Sequence, residues 1–173
     1  ENEFLSQTLN NYESPYVAII GGAKVSTKLE LIKHISSVAD YIIVGGGIAN
    51  TFLKASGLNI GKSLAEDSMI DIAKKILGKG KIVLPNTVIT SKTFEGEDIK
   101  EIPINKVLDE EMILDVYLSD ETVALIEQAK TILWNGPMGV FENEAFSKGT
   151  KNLSEAIAKS KAFSLAGGGE TLS

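Results

Sequence analysis

The chain has 173 residues, of which 43% are hydrophobic and 23% are charged, a composition typical of a globular domain. It contains no cysteine and one histidine, which excludes a disulfide framework, a thiolate nucleophile and a cysteine- or histidine-rich zinc site. The 17 basic residues are all lysines, and the 23 acidic residues bring the net charge to -6. This balance argues against a nucleic-acid surface. No apolar run is long enough to cross a membrane, so neither nucleic acid nor a membrane is an expected partner.

Both ends of the sequence look cut. The chain opens with Glu1 and shows no secretory signal, while residues 167–173 (GGGETLS) stop where a helix is expected to begin. We therefore expect a fragment that is truncated at both ends.

In chain order, four short apolar runs are each followed directly by a glycine-rich turn. They are residues 17–20, 41–44, 131–134 and 162–166. Continuous apolar runs without alternation predict strands that are buried on both faces, as in a parallel sheet covered by helices. Residues 81–85 predict a further strand, and residues 88–107 alternate in pieces, as short antiparallel strands do.

Segments with helical spacing lie between these runs. They are residues 27–37, 48–55, 68–77, 121–130 and 151–161. The alternation of strands and helices predicts an α/β fold with a doubly wound parallel sheet, a Rossmann-like three-layer α/β/α arrangement. No linker divides the chain, so one domain is expected.

The glycine-rich turns predict a ligand site. In a parallel sheet all four follow the carboxyl ends of strands and collect along one edge, where open α/β sheets bind ligands. Lys24 and Lys28 follow the first turn at a spacing of four, so on one helix they would share a face and reach one polyphosphate. The alternatives are glycines that only make tight turns and lysines that only face solvent.

Glu170 follows the last glycine-rich turn, where a carboxylate would repel a bound phosphate. Mg²⁺ resolves this conflict, because it takes one or two carboxylates together with phosphate oxygens. The alternative is a first-turn glutamate that offsets the helix dipole.

Several other features predict no site. Residues 57–63 (GLNIGKS) are one residue short of a P-loop and follow a helix. Residues 45–50 lack the third glycine of a dinucleotide fingerprint, since Asn50 stands there. His34 is expected to be structural, Trp134 to lie in the core, and residues 109–111 to form a solvated loop or helix start.

Four segments in this order strongly resemble the C-terminal half of bacterial-type phosphoglycerate kinase: residues 21–28 (GGAKVSTK), 45–52 (GGGIANTF), 135–142 (NGPMGVFE) and 167–171 (GGGET). The resemblance implies that residues 1–15 end the helix joining two lobes. Residues 16–173 would be the nucleotide-binding lobe, incomplete at its C-terminus and without the N-terminal substrate lobe.

The family's reaction implies an expected function. Members of this family transfer a phosphoryl group between 1,3-bisphosphoglycerate and MgADP in glycolysis, which gives 3-phosphoglycerate and MgATP. The resemblance therefore implies a phosphotransferase here, and we expect it to be cytoplasmic and monomeric. The fragment alone is expected to bind ADP or ATP with Mg²⁺ but not to turn over efficiently, because the family's arginine-containing substrate patch belongs to the other lobe.

The resemblance also assigns residues. The implied catalytic residues are Lys24, which would hold the transferring phosphoryl group, and Gly168 and Gly169. The implied nucleotide-binding residues are Lys28, Gly45, Gly46, Gly47, Asn135, Glu142, Gly167, Gly168, Gly169, Glu170 and Thr171, with Glu142 on the ribose and Glu170 on Mg²⁺. Glu170 and Thr27 both stand where aspartate is common in the family, so Glu170 would carry more of the metal binding.

Two alternatives remain at this point. One is an NAD-dependent dehydrogenase domain on a similar sheet, which the missing third glycine disfavours. The other is a non-catalytic nucleotide-binding module.

Overall fold

The computed structural model describes residues 13–140, 142–160 and 162–167. In chain order its strands are β1 (Tyr16–Ile20), β2 (Tyr41–Val44), β3 (Ile82–Val83), β4 (Thr87–Ser91), β5 (Lys100–Pro103), β6 (Met112–Tyr117), β7 (Thr131–Asn135) and β8 (Phe163–Gly167). Five of them form a parallel sheet in the order β3-β2-β1-β7-β8. The predicted parallel α/β sheet is confirmed.

The helices lie where the sequence spacing predicts them, with ends displaced by up to three residues. They are α1 (Leu29–Val38), α2 (Gly46–Ala55), α3 (Ile70–Leu77), α4 (Asp120–Gln128) and α5 (Lys148–Lys159). Short 3-10 turns, Ser26–Lys28 and Asp67–Met69, precede α1 and α3. Among the described residues, no helix has both the length and the apolar character that a membrane span needs.

Alternate residues of β1 face two separate apolar layers. Ala18 and Ile20 pack in a cluster with residues of α1, α2 and α3, including Ile32, Phe52 and Ala73. Val17 and Ile19 face the opposite side, in a cluster with residues of α4, α5 and β6, including Ile126, Leu153 and Val116. This accounts for the absence of alternation in β1, because both faces of the strand are buried.

The middle of the chain forms a second, antiparallel sheet in the order β5-β4-β6. Its register shifts between Ile89 and Thr90, where β4 pairs with β6. The sheet contributes Val88, Ile113 and Val116 to the cluster beneath the parallel sheet. The prediction of short antiparallel strands in this region is therefore confirmed.

The interpretation of residues 109–111 as a solvated segment is wrong for Glu111, whose exposed fraction is 1%. Its Oε1 accepts the Leu108 N–H at 2.8 Å, and Lys100 lies 3.4 Å from its Oε2. Glu111 O also accepts the Lys62 N–H at 2.7 Å. Residues 57–63, the segment that resembles a P-loop, are thus bonded to the turn formed by residues 108–111, which agrees with a structural role for both segments.

The strand order changes direction at β1. From β1 the chain moves outward through β2 to β3, and it then crosses to β7 on the other side of β1. The carboxyl ends of β1 and β7 therefore flank the switch point where open α/β sheets bind ligands. Of the segment assigned to the interlobe helix, residues 1–12 lie outside the described residues, so that domain boundary stays a prediction.

Candidate functional site

Three of the predicted glycine-rich turns meet at the switch point. The Gly21 N–H donates to Asn135 O at 2.8 Å, which joins the turn after β1 to the end of β7. The Ile48 N–H donates to Gly22 O at 3.1 Å, and the Gly46 N–H to Met138 O at 2.9 Å. Main-chain hydrogen bonds therefore connect all three turns. The fourth turn begins at Gly167, which pairs with Asn135 at the same edge, and residues 168–173 lie outside the described residues.

Glycine is required where these turns cross. Gly136 has φ +91°, and a Cβ there would overlap Gly21 O. Gly46 has φ +64°, and a Cβ there would lie 2.6 Å from Gly22 O. Both positions combine a left-handed backbone with main-chain contact on the side where a Cβ would project. The repeated glycines are explained by this close approach, and they leave the edge lined by main chain.

Lys28 lies over the junction of the turns after β1 and β7. Its Nζ donates to Gly21 O at 2.6 Å and would lie 2.5 Å from a Cβ at Gly136. A lysine ammonium carries three donor hydrogens and a full positive charge. The geometry thus brings a positive charge to the glycine-lined edge.

Lys24 does not share a helix with Lys28, and this part of the sequence interpretation is wrong. The α-helix begins only at Leu29, and Lys24 precedes the 3-10 turn Ser26–Lys28. Lys24 is exposed, and its carbonyl oxygen accepts the Thr27 hydroxyl at 2.9 Å. The glycine-rich turn continues past Lys24, and helix α1 begins only after Lys28. Lys24 therefore lies in the turn, whereas Lys28 ends the 3-10 segment before α1.

Glu66 anchors this turn, a role that no spacing or motif in the sequence indicates. Its Oε1 accepts the Ser26 N–H at 2.9 Å and its Oε2 the Ser26 hydroxyl at 2.5 Å. Burial acts to raise its pKa, but the hydrogen bonds from Ser26 and Val25 and the charge of Lys24 together lower the pKa of Glu66 below its usual value. The ionised glutamate therefore ties the turn carrying both lysines to the segment that precedes α3.

A cavity of about 240 Å³ opens beside the three turns. The turns after β1, β2 and β7 contribute Gly22, Ala23, Gly46, Gly47 and residues 137–140 to its lining. The rest of the lining consists of Asn50, Leu64, Phe94, residues 112–116 of β6 and Glu142. Leu64 and Phe94 are 55% and 56% exposed, so two large apolar side chains stand at this cavity. The turns thus supply a lining rich in glycine backbone, and Leu64, Phe94 and the β6 residues offer apolar surface to a flat ring.

The structure brings together part of the predicted site. Gly46, Gly47 and Glu142 line the cavity, and Lys28 lies against the turns beside it. Asn135 ends β7 at the same edge, and Gly45 precedes α2. Lys24 does not line the cavity. Gly168, Gly169, Glu170 and Thr171 lie outside the described residues.

Asn50, which replaces the third glycine of a dinucleotide fingerprint, is 3% exposed and lines the cavity. Its Nδ2 donates to Leu64 O at 3.0 Å. This bond fixes the segment carrying Leu64 relative to α2. The residue thus has a structural explanation that needs no dinucleotide.

Asp115 of β6 lies in the cavity wall with an exposed fraction of 1%. Its Oδ2 accepts the Gly149 N–H at 3.0 Å, and its Oδ1 accepts the Val116 N–H at 2.9 Å. Burial raises the pKa of Asp115 to about 6, although these hydrogen bonds, another from the Lys148 N–H and the Lys148 charge act in the opposite direction. No sequence pattern singles out Asp115, because one acidic residue in an apolar run has no distinctive spacing.

Within the described ranges, no three acidic or histidine side chains come together in a way that could hold a metal ion. The predicted metal ligand, Glu170, is not among these residues. Glu142 does line the cavity, and a site that shares Mg²⁺ with phosphate oxygens needs only one or two carboxylates. The acidic residues of this part are therefore compatible with a nucleotide-held metal but do not form a separate metal centre.

Comparisons with known proteins agree with this architecture. The family model described as "Phosphoglycerate kinase" matches residues 1–173. The chain belongs to the phosphoglycerate kinase family. A phosphoglycerate kinase of Vibrio campbellii is 46% identical to it over 175 residues, an alignment that covers 99% of this chain and 45% of the relative.

Two solved phosphoglycerate kinases share the fold. The structure from Coxiella burnetii has a TM-score of 0.92 and 46% identity, covering 99% of this chain and 47% of that protein. The structure from Pyrococcus horikoshii OT3 has a TM-score of 0.83 and 31% identity, covering 99% of this chain and 46% of that protein. The chain thus spans about half the length of these phosphoglycerate kinases, and the family and fold predicted from the four segments are confirmed.

Proposed function

We propose that this chain is the nucleotide-binding lobe of a phosphoglycerate kinase and binds ADP or ATP in the cavity beside its glycine-rich turns. Joined to a lobe that holds the phosphoglycerate, it would serve transfer of a phosphoryl group between 1,3-bisphosphoglycerate and MgADP. The observation that carries the proposal is the junction of three main-chain turns with the Lys28 ammonium above them, next to a cavity with apolar residues at its rim.

The two kinds of lining suit the two ends of a nucleotide. Leu64, Phe94 and the β6 residues offer apolar surface to a base, and Glu142 offers acceptors to ribose hydroxyls. The glycine turns and Lys28 suit phosphates, since main-chain N–H groups and a cation stabilise their charge. An NAD-dependent dehydrogenase is not favoured, because the family match covers the whole chain.

The proposed reaction needs positioning more than covalent participation by the protein. A β-phosphate oxygen of ADP attacks the acyl phosphorus of 1,3-bisphosphoglycerate, the bond from that phosphorus to the carboxyl oxygen breaks, and 3-phosphoglycerate leaves as a carboxylate. Lys24 would stabilise the charge on the phosphoryl group in transfer, and Lys28 would hold the nucleotide phosphates. Such electrostatic positioning is the main source of rate enhancement in phosphoryl transfer.

Glu170 is the residue proposed to hold Mg²⁺, with Gly168, Gly169 and Thr171 beside the phosphates. Mg²⁺, when bound, would neutralise phosphate charge. Glu170→Gln should reduce the preference for MgADP over metal-free ADP and leave metal-free binding equal or tighter. Calorimetric titration with and without Mg²⁺ measures this preference, and an unchanged ratio would remove Glu170 from the metal site.

Titration calorimetry of the chain with MgADP and with NAD tests the proposed ligand. Binding of MgADP in preference to NAD supports the proposal. Tighter binding of NAD would favour the dehydrogenase alternative, and binding of neither would contradict a nucleotide site in this chain.

A coupled assay for ATP formation tests the proposed division of labour. We expect the chain alone to bind MgADP but to form no ATP above background, because positioning of the second substrate can account for about 7 to 11 kcal/mol of the barrier. Adding the substrate-binding lobe should restore turnover. ATP formation by the chain alone would contradict the need for that lobe, whereas binding without turnover in the joined lobes would favour a non-catalytic module.

A further inference from the structure

The loop that follows β7, residues 136–140, has a fixed position because it is held from two sides. We call it the β7 loop. On one side Met138 O accepts the Gly46 N–H at 2.9 Å. On the other side the Met138 N–H donates to Thr150 Oγ1 at 3.1 Å, and the Val140 N–H donates to Leu114 O at 2.9 Å. The loop therefore depends on the first turn of α5 and on β6 for its position.

The first turn of α5 is itself held by Asp115. The carboxylate accepts N–H groups of this turn, from Gly149 at 3.0 Å and from Lys148. The fit is close, since a Cβ at Gly149 would lie 2.5 Å from Asp115 Oδ1 and a Cβ at Gly139 would lie 2.6 Å from it. One buried carboxylate thus contacts both the start of α5 and the β7 loop, with glycine on each side.

We propose that Asp115 is a positioning residue for the nucleotide site, whose carboxylate fixes the first turn of α5 and, through Thr150, the β7 loop that lines the cavity. This inference rests on the proposed function only for the identity of the ligand. The Asp115 carboxylate acts through the β7 loop and needs no contact with the nucleotide.

The ionised form of Asp115 is the form that performs this task. A carboxylate offers acceptors on both oxygens, whereas a protonated carboxyl turns one of them into a donor, which faces N–H groups. The pKa of about 6 means that this change occurs just below neutral pH. Loop position and nucleotide affinity should therefore decline together as the pH falls through about 6.

The charged groups near Asp115 come from few elements. Lys148 is the side chain of α5 whose charge acts on the carboxylate, and Lys151, Glu155 and Lys159 lie further along that helix. Strand β4 carries no titratable side chain, and α2 carries only Lys54, which pairs with Asp67 at 2.6 Å. Glu142 and Glu144 precede α5 and are exposed. His34, the single histidine, is exposed on α1.

Trp134 provides a direct readout of the β7 loop. It is the only tryptophan in the chain, and its Nε1–H donates to Gly136 O at 2.8 Å. Its fluorescence in the ligand-free chain should change with a midpoint near pH 6. Asp115→Asn, which keeps the side-chain shape but places an amide against the N–H groups, should abolish this transition. His34→Gln should retain it.

Nucleotide affinity supplies the second readout. At pH 8, Asp115→Asn should lower MgADP affinity about tenfold relative to the unchanged chain, and this ratio should approach one by pH 5. The ratio at each pH cancels the titration of the nucleotide's own phosphates. Thr150→Ala should also lower affinity at pH 8, but it should retain the fluorescence transition because it leaves the carboxylate in place.

The outcomes separate this inference from the proposed function. Absence of the fluorescence transition in the unchanged chain, its persistence in Asp115→Asn, or an affinity ratio that is constant from pH 5 to 8 would overturn the role of Asp115. Failure of MgADP to bind would contradict the proposed function, and the fluorescence transition would still decide whether Asp115 controls the loop.

Discussion

The cavity is bounded by two regions that are built in different ways. The edge of the parallel sheet presents main chain from the turns after β1, β2 and β7, with glycine where these turns cross. The antiparallel sheet presents side chains, including the apolar residues of β6 and the buried carboxylate of Asp115. Added bulk should therefore have its largest effect at the parallel-sheet edge, whereas altered charge should have its largest effect at the antiparallel sheet.

Gly136→Ala tests the first half of this comparison and should have the largest effect. The methyl group would overlap Gly21 O at φ +91°. We expect the free energy of unfolding to fall by about 3 kcal/mol or more, since backbone strain and overpacking each contribute about 1 to 3 kcal/mol. Urea denaturation measures the loss.

Gly57→Ala is the matched control for this change. Gly57 has a similar φ of +96°, but nothing lies within 4 Å of the position a Cβ would take. Its loss should be limited to the backbone strain, about 1 to 2 kcal/mol. Equal losses at both positions would show that contact between the turns is unimportant.

Asp115→Asn tests the second half through the pH dependence of stability. Burial raises the pKa of Asp115 from 3.8 to about 6, so between these values the folded chain binds the proton more tightly than the unfolded chain. The contribution of Asp115 to the free energy of unfolding is thus fully present below about pH 4, and it is lost as the pH rises through 6. Over this range the unchanged chain should lose at most about 3 kcal/mol relative to the variant.

Urea denaturation of both chains at pH 4.5 and pH 7.5 measures this difference, with His34→Gln as the control for the histidine. A stability difference that does not change with pH would mean that the carboxylate ionises equally well in the unfolded chain. The predicted sign is opposite to that expected for nucleotide affinity. The charged carboxylate is therefore expected to increase affinity for the nucleotide and to lower the free energy of unfolding.

The two regions also differ in how far the sequence predicts them. The strands and glycine turns of the parallel sheet are evident because burial on both faces gives unbroken apolar runs and main-chain contact demands glycine. The roles of Glu66 and Asp115 were missed because each depends on a partner distant in sequence, Ser26 for one and Gly149 for the other. Spacing along the chain carries no information on such pairs.

Lys24 shows a different limit of the sequence analysis. A spacing of four indicates a shared helical face only if a helix spans both residues, and α1 begins after Lys28. The glycine-rich turn that makes the site also delays the helix. The local pattern was therefore least reliable at the residues closest to the proposed phosphates.

Lys28→Met sharpens the comparison at the parallel-sheet edge by removing charge with little change in bulk. We expect MgADP binding to weaken by about 1 kcal/mol or more, roughly fivefold, through loss of a charge-assisted contact. Lys33→Met, on the exposed face of α1, should leave affinity unchanged.

Lys24→Met should reduce ground-state binding less than Lys28→Met, and in the joined lobes it should lower kcat, since its proposed partner is the group in transfer. Calorimetry and the coupled assay measure the two effects. Negligible changes for both lysines would contradict the phosphate assignment.

Ser26→Ala should have the smallest effect, because it removes only the hydroxyl bond to Glu66 and leaves the Ser26 N–H bond to the same carboxylate in place. The bond is exposed, so we expect about 0.5 kcal/mol or less in unfolding free energy. Affinity for MgADP should fall about twofold, since the Ser26–Lys28 turn would be held less firmly. Ser37→Ala removes a comparable exposed hydroxyl, which donates to His34 O at 2.6 Å near the far end of α1, and should leave affinity unchanged. Equal affinities for both variants would show that Glu66 holds the turn through the Ser26 main chain alone. A larger loss of affinity for Ser26→Ala would show that the parallel-sheet edge also depends on a side-chain contact, the bond from the Ser26 hydroxyl to Glu66.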